Sequence, residues 1–189
     1  ILEKGELLSY AGCGLPFYIS GQVKDHNELM ATPTGVVRDT NFFKMVKDIH
    51  VKNHTLVKSI DRKNKIVKSV HVLSGEAGEY PYDSLILAVG SQYTVPPIDG
   101  VDLKGVHFLQ TVQDARKIRN ESGDLNGKKA VIIGAGLIGL EVTESLKEQG
   151  MNVTMIEMAN RAMGEMLDPE MAYHLHKEIR GNGVALKTG

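Results

Sequence analysis

Two short stretches carry residues whose types and spacing could do chemistry. The first is Cys13, the only cysteine of the chain, set between Gly12 and Gly14 in the run SYAGCGLPFYISG from Ser9 to Gly21. A lone cysteine is most often a small buried hydrophobe. Here the flanking glycines leave room beside the sulfur, and a helix beginning just after it would favour the thiolate, the form that attacks disulfides. With no second cysteine, an oxidised Cys13 has to be a mixed disulfide with an outside thiol or a sulfenic acid.

The second stretch is Gly134-Ala135-Gly136-Leu137-Ile138-Gly139, a G-x-G-x-x-G run. Alone it would be weak, because glycines mark many ordinary turns. Its context is stronger: an apolar β-type run precedes it, an amphipathic helical stretch follows, and Glu157 stands 18 positions after Gly139 at the end of the next apolar run. Each glycine has a physical task. Gly134 permits a tight turn, Gly136 lets backbone amides approach a pyrophosphate, and Gly139 lets helix and strand pack closely. Leu137 and Ile138 then start the helix whose unpaired N–H groups favour negative charge. Glu157 is placed to take the hydrogen bonds of an adenosine ribose. Its carboxylate repels a 2′-phosphate and so favours NADH over NADPH, with Arg161 nearby acting in the opposite sense.

These residues need elements to hold them. Ser9–Gly21 reads as a loop feeding a helix, with Pro16 acceptable in the first turn. Thr55–Ile60 and Lys65–Val72 read as strands joined by the turn Asp61-Arg62-Lys63-Asn64, a β-hairpin. Tyr82–Gly90 reads as a short buried strand ending in small residues. Pro96-Pro97 and Asp99-Gly100 suggest a connector, and Val112–Asn120 has modest helical character. Ala130–Ile133, the glycine loop, a helix to Gln149 closed by Gly150, and a strand Asn152–Ile156 make a βαβ opening. The fold class expected is α/β, with a domain boundary near residues 100–110 and the start of a dinucleotide-binding Rossmann domain after it. The methionines of 151–171 read as adaptable packing.

Composition narrows the function classes. A chain of 189 residues with 42% hydrophobic and 24% charged residues falls near the globular average, against disorder or a fibrous repeat. The net charge of −1 gives no field to gather nucleic acid or anionic lipid. Lys44–Lys68 holds eight basic residues against two Asp, but they mostly alternate with apolar residues as on a solvated strand face. No apolar stretch reaches the ~18–20 residues of a membrane helix, and no signal peptide is expected. A single cysteine fits a reducing compartment such as the cytoplasm. The seven histidines show no metal-ligand spacing; His174 and His176, two apart, point to different faces of a helix, so no metal is expected. Ile1 and Gly189 look like cut ends, which suggests an internal stretch of a longer chain.

Taken together, SYAGCGLPFYISG, LILAVGS and VIIGAGLIGLEVTESL resemble the active-site, second flavin and NADH motifs of the flavin-dependent pyridine nucleotide-disulfide oxidoreductases, in their single-cysteine branch. The Cys-Gly-Leu-Pro run followed by Phe17 and Tyr18 is similar to coenzyme A disulfide reductases and persulfide reductases more than to NADH oxidases and peroxidases. The resemblance implies that residues 1–108 are a partial FAD-binding Rossmann-like domain with a β-meander and residues 109–189 the start of an NAD(P)-binding Rossmann domain, with FAD and NAD(P)H as cofactors, NADH preferred, and coenzyme A a further candidate. It implies that Cys13 is catalytic, that Glu3 holds the FAD ribose, and that Val57 meets the adenine through its backbone. It further implies that Ala88 and Gly90 pass close to the flavin nucleotide and that Glu141 approaches the nicotinamide. The expected partners are a small disulfide, persulfide or oxygen species, and a second copy in a homodimer. The rival from another class is a non-catalytic NADH-responsive binding subunit.

Overall fold

A computed structural model describes residues 1–122 and 125–189. The chain forms two compact units that do not follow chain order: Ile1–Gly12 with Asp25–Val95, and Cys13–Lys24 with Pro96–Gly189.

The first unit is built on an antiparallel meander of β1 (Thr55–Asp61), β2 (Ile66–His71) and β3 (Ala77–Pro81). The expected hairpin is present, its turn closed by Asp61, whose carboxylate accepts the Asn64 N–H at 3.0 Å and the Asn64 amide at 2.7 Å. Alternation places Val67 and Ser69 inward and buried and Lys68 outward beside Glu79, so the basic residues of this run occupy a solvated face. A helix that the sequence patterns did not single out, α2 (Thr40–Lys47), starts at Asp39, whose side chain accepts the Phe42 N–H at 2.7 Å. Near the chain start, Leu2 bridges Lys52 in parallel.

The strand expected at Tyr82–Gly90 is not formed. Residues 82–90 make no ladder, and Ile86 and Val89 are each 88% exposed. An apolar run becomes a buried strand only where neighbours supply both its hydrogen bonds and its covering surface.

The second unit contains α1 (Leu15–Ser20), α3 (Val112–Ser122), α4 (Leu137–Glu148) and α5 (Pro169–Gly181) around a parallel sheet of β4 (Lys129–Ile133), β5 (Asn152–Glu157) and β6 (Ala185–Thr188). The order β4-α4-β5-α5-β6 is the expected βαβ opening extended by one further helix and strand. Register explains the core. Ala130 pairs with Val153 and Ile132 with Met155, which places these on one face, while Val131, Ile133 and Ile156 lie on the other and are exposed. Met151 and Met155 are buried as packing residues, but Met158, Met166 and Met171 are exposed; they lie in a loop and at a helix start that the sheet does not cover. Leu15, Tyr18 and Ile19 bury the apolar side of α1 against α3 and α4. At about 1.5–3 kcal/mol for each large apolar side chain, this fixes a helix of only six residues that could not persist alone.

Candidate functional site

The glycine loop is shaped as its sequence requires. Gly134 has φ +101°, outside the range of ordinary L residues, and its N–H donates to Ile156 O at 2.8 Å. Gly139 lies so close to the Gly134 carbonyl that a methyl group there would overlap it, so helix and loop are in backbone contact. A methyl group on Gly136 would meet nothing within 4 Å. Gly136 is also the N-cap of α4 and supplies no capping side chain, and Leu137 and Ile138 behind it are exposed. The result is a helix start with free N–H groups in front of open space, which suits a pyrophosphate.

Glu157 closes this site from the neighbouring strand. Its Oε2 accepts the Ala135 N–H of the glycine loop at 2.7 Å, and its Oε1 accepts the Ala159 N–H at 2.8 Å. Hydrogen bonds from Ala159 and then Ala135 hold its carboxyl below the usual carboxylate range. A charged group is thereby fixed at the strand end with lone pairs left for further donors. Arg161 does not face outward from the following loop. Its guanidinium donates to Gly164 O at 2.9 Å, Leu167 O at 3.3 Å and Asn160 Oδ1 at 3.3 Å.

In the first unit Glu3 repeats part of this device. Its Oε1 accepts the N–H of Gly5, two residues on, at 2.7 Å, as Glu157 accepts that of Ala159. The Glu3 main chain is fixed by Glu3 N to Lys52 O at 2.9 Å and Thr55 N to Glu3 O at 2.8 Å. Val57 pairs with Ser69 at the edge of a bulge in which Lys58 drops out of the β1–β2 register. Ala88 and Gly90 lie in the exposed segment that forms no strand, Gly90 with φ +68°. A cavity of about 580 Å³ lies against the meander among Lys52, Thr55, Ser69, His71 and Tyr80, and none of the sequence-predicted residues lines it.

Cys13 is exposed, in a 3-10 turn, Gly12–Gly14, that runs directly into α1. Sequence reasoning missed how this helix is held. The buried Ser145 hydroxyl on α4 lies 2.9 Å from both Pro16 O and Glu141 O, and Gln149 Nε2 donates to Ile19 O. From α3, Arg119 places its guanidinium 4.5 Å from the centre of the Tyr18 ring and donates to Lys24 O at 3.0 Å. The helix that opens at the glycine loop therefore also anchors the helix that follows the sulfur. Glu141 is exposed on α4 and lines a small crevice with Pro16 and Phe17. Nothing local in the sequence distinguishes Ser145 or Gln149, because their acceptors are main-chain carbonyls about 130 residues away. Among the described residues no cluster of His, Cys, Asp and Glu could hold a metal ion, and no helix is long and apolar enough to cross a membrane.

The chain is 34% identical over 185 residues to an NADH oxidase of Methanocaldococcus jannaschii, covering 97% of this chain and 40% of the relative. It is 31% identical over 179 residues to a coenzyme A disulfide reductase of Staphylococcus haemolyticus, covering 95% and 38%. The structure matches an NAD-dependent persulfide reductase from A. fulgidus with a TM-score of 0.92 and 42% identity, over 99% of this chain and 34% of that one. The chain thus spans about 40% of the length of the curated relatives it matches. The family model described as pyridine nucleotide-disulphide oxidoreductase matches residues 1–189, and the chain belongs to that family.

Proposed function

We propose that the protein carrying this chain is an NADH-dependent FAD flavoenzyme that reduces a small disulfide or persulfide of the coenzyme A type through Cys13. In this reading residues 1–108 belong to the FAD-binding part and residues 109–189 to the NAD(P)-binding part. Gly134, Gly136, Leu137, Ile138 and Gly139 cradle the NADH pyrophosphate and Glu157 takes the ribose. Glu3 holds the FAD ribose, with Val57, Ala88 and Gly90 along that nucleotide and Glu141 toward the nicotinamide. The observation that carries the reading is the Glu157 carboxylate tied to the glycine loop through Ala135 N in front of an uncapped helix start. The engagement of Arg161 with its own loop favours NADH over NADPH, since the carbonyls of that loop occupy its guanidinium. The shared Glu3 and Glu157 geometry supports two nucleotide sites of one design.

Bound flavin supplies the two-electron relay between nicotinamide and sulfur. The chain's own part is to present an exposed sulfur. A mixed disulfide between Cys13 and an outside thiol takes up two electrons and a proton, releasing that thiol and the Cys13 thiolate. The thiolate then attacks the next disulfide or persulfide, whose S–S bond breaks to re-form the mixed disulfide and release a thiolate or hydrosulfide. The enzyme is taken to act in the cytoplasm as a homodimer on small molecules, without nucleic acid or membrane. Cys13→Ser should abolish disulfide and persulfide turnover while NADH still bleaches the flavin; equal turnover in that variant refutes the role of the sulfur.

The NADH oxidase relative favours a second reading, in which Cys13 cycles through a sulfenic acid with an oxygen species as acceptor. Mass spectrometry of the resting protein separates the two, with a coenzyme A adduct on Cys13 in the first and added oxygen in the second.

A further inference from the structure

The segment between β5 and α5 is held by two main-chain N–H groups. Ala162 is fully buried, so its N–H needs a partner, and it donates to His176 Nε2 on α5 at 2.9 Å. A ring nitrogen accepts only when unprotonated, so the ring is neutral with its proton on Nδ1. Met163, in the left-handed region at φ 54°, donates its N–H to Ala135 O in the glycine loop at 3.0 Å. The Met163 carbonyl in turn accepts from Met166 N and Leu167 N, each at 2.8 Å. One anchor thus ties the loop to α5 and the other ties it to the residue that donates to Glu157.

Arg161 is the only cation from Met158 to Leu167, and it sits directly before the residue His176 holds. Its guanidinium is folded onto Gly164 O and Leu167 O, carbonyls that lie where they do because the loop is pinned. Turning Arg161 outward would offer a planar cation beside Glu157, the group a 2′-phosphate lacks in the present shape.

We propose that His176 is a positioning residue for nucleotide choice: by accepting the Ala162 N–H it keeps Arg161 folded onto its own loop and so keeps the site selective for NADH. This rests on the nucleotide site proposed above. Burial and the neighbouring Arg180 hold the imidazole below its ordinary range, consistent with its acceptor role.

The test is steady-state kinetics of the complete gene product with NADH and NADPH. His176→Leu should lower the ratio of kcat/KM for NADH to that for NADPH by about tenfold, on the order expected when a buried donor loses its partner. His176→Gln, which keeps an acceptor oxygen, should hold the ratio near that of the unmodified protein. Adding Arg161→Ala to His176→Leu should restore the ratio, because the released cation is gone. Equal loss with both nucleotides in His176→Leu, the ratio unmoved, makes His176 merely structural and overturns the proposal. If the Leu variant does not fold, a folded Gln variant that has lost the discrimination overturns it equally. An unmodified protein that prefers NADPH defeats the underlying NADH reading instead, and is recognised before any variant is made.

Discussion

Gly139 and Gly136 stand three residues apart in one motif, yet the structure predicts opposite outcomes for the same added methyl group. At Gly139 the new Cβ would fall within 3.0 Å of the Gly134 carbonyl oxygen, 3.2 Å from Gly134 C and 3.3 Å from Ile132 Cγ2. The first two atoms are backbone, held by Gly134 N to Ile156 O, so no side chain can swing aside. Relief to ordinary contacts of ~3.5 Å requires α4 and the end of β4 to move apart. Overpacking of that kind costs about 2 kcal/mol, or a melting temperature lower by about 4–8 °C for a chain of this size. At Gly136 the Cβ meets nothing, and φ −86° with ψ −173° is extended backbone open to any residue. Gly136→Ala should therefore melt with the unmodified protein while losing NADH affinity, because the methyl group stands where phosphate would approach the amides. Thermal unfolding by circular dichroism and NADH titration calorimetry check both. A Gly139→Ala protein that melts unchanged, or a Gly136→Ala protein that binds NADH unchanged, refutes the assignment of separate tasks to the two glycines.

Ser145→Ala should leave the Pro16 carbonyl without the α4 hydroxyl, at a cost of about 1–2 kcal/mol. Amide exchange across Leu15–Ser20 should then quicken by about tenfold, and unchanged exchange would mean that Gln149 and the packing on α3 and α4 hold the helix without the Ser145 hydroxyl. Stability should also fall with acidification in two stages. His176 lies below its ordinary value of 6.5 in the fold, so as pH drops under ~6.5 the unfolded chain binds a proton that the folded one resists, and stability declines. Glu157 lies below 4.5, so its contribution, present above that value, is lost as pH falls further through its lowered folded value. Melting measured from pH 8 to 4 checks the sign; His176→Gln should flatten the upper stage.

The glycine loop, α4, β5 and Glu157 were legible because each is a short-range pattern: turn glycines, a helical stripe and an apolar strand with an acid at its end. The β1–β2 hairpin was legible for the same reason, Asp61 and Asn64 being turn residues by their own chemistry. The composition of Tyr82–Gly90 suits a buried strand, yet none forms, because strand formation depends on neighbours that composition does not reveal. The contacts of Ser145, Gln149 and His176 were illegible for a related reason. A polar side chain on a helix whose partner is a distant main-chain group has no sequence signature at either end. Arg161 is legible as a cation, but only the loop's own carbonyls determine which way it turns.

The attachment of α1 to α3 and α4 bears on how the molecule can be divided. A polypeptide begun at Pro96 would retain every strand of the parallel sheet but forfeit Leu15, Pro16, Tyr18 and Ile19, all buried in the intact unit. The bared flank of α3 and α4 would invite self-association, so such an excised half is a poor vehicle for crystallisation or grafting. Splicing residues 13–24 back onto it, with the sulfur aboard, would restore the cover on that flank.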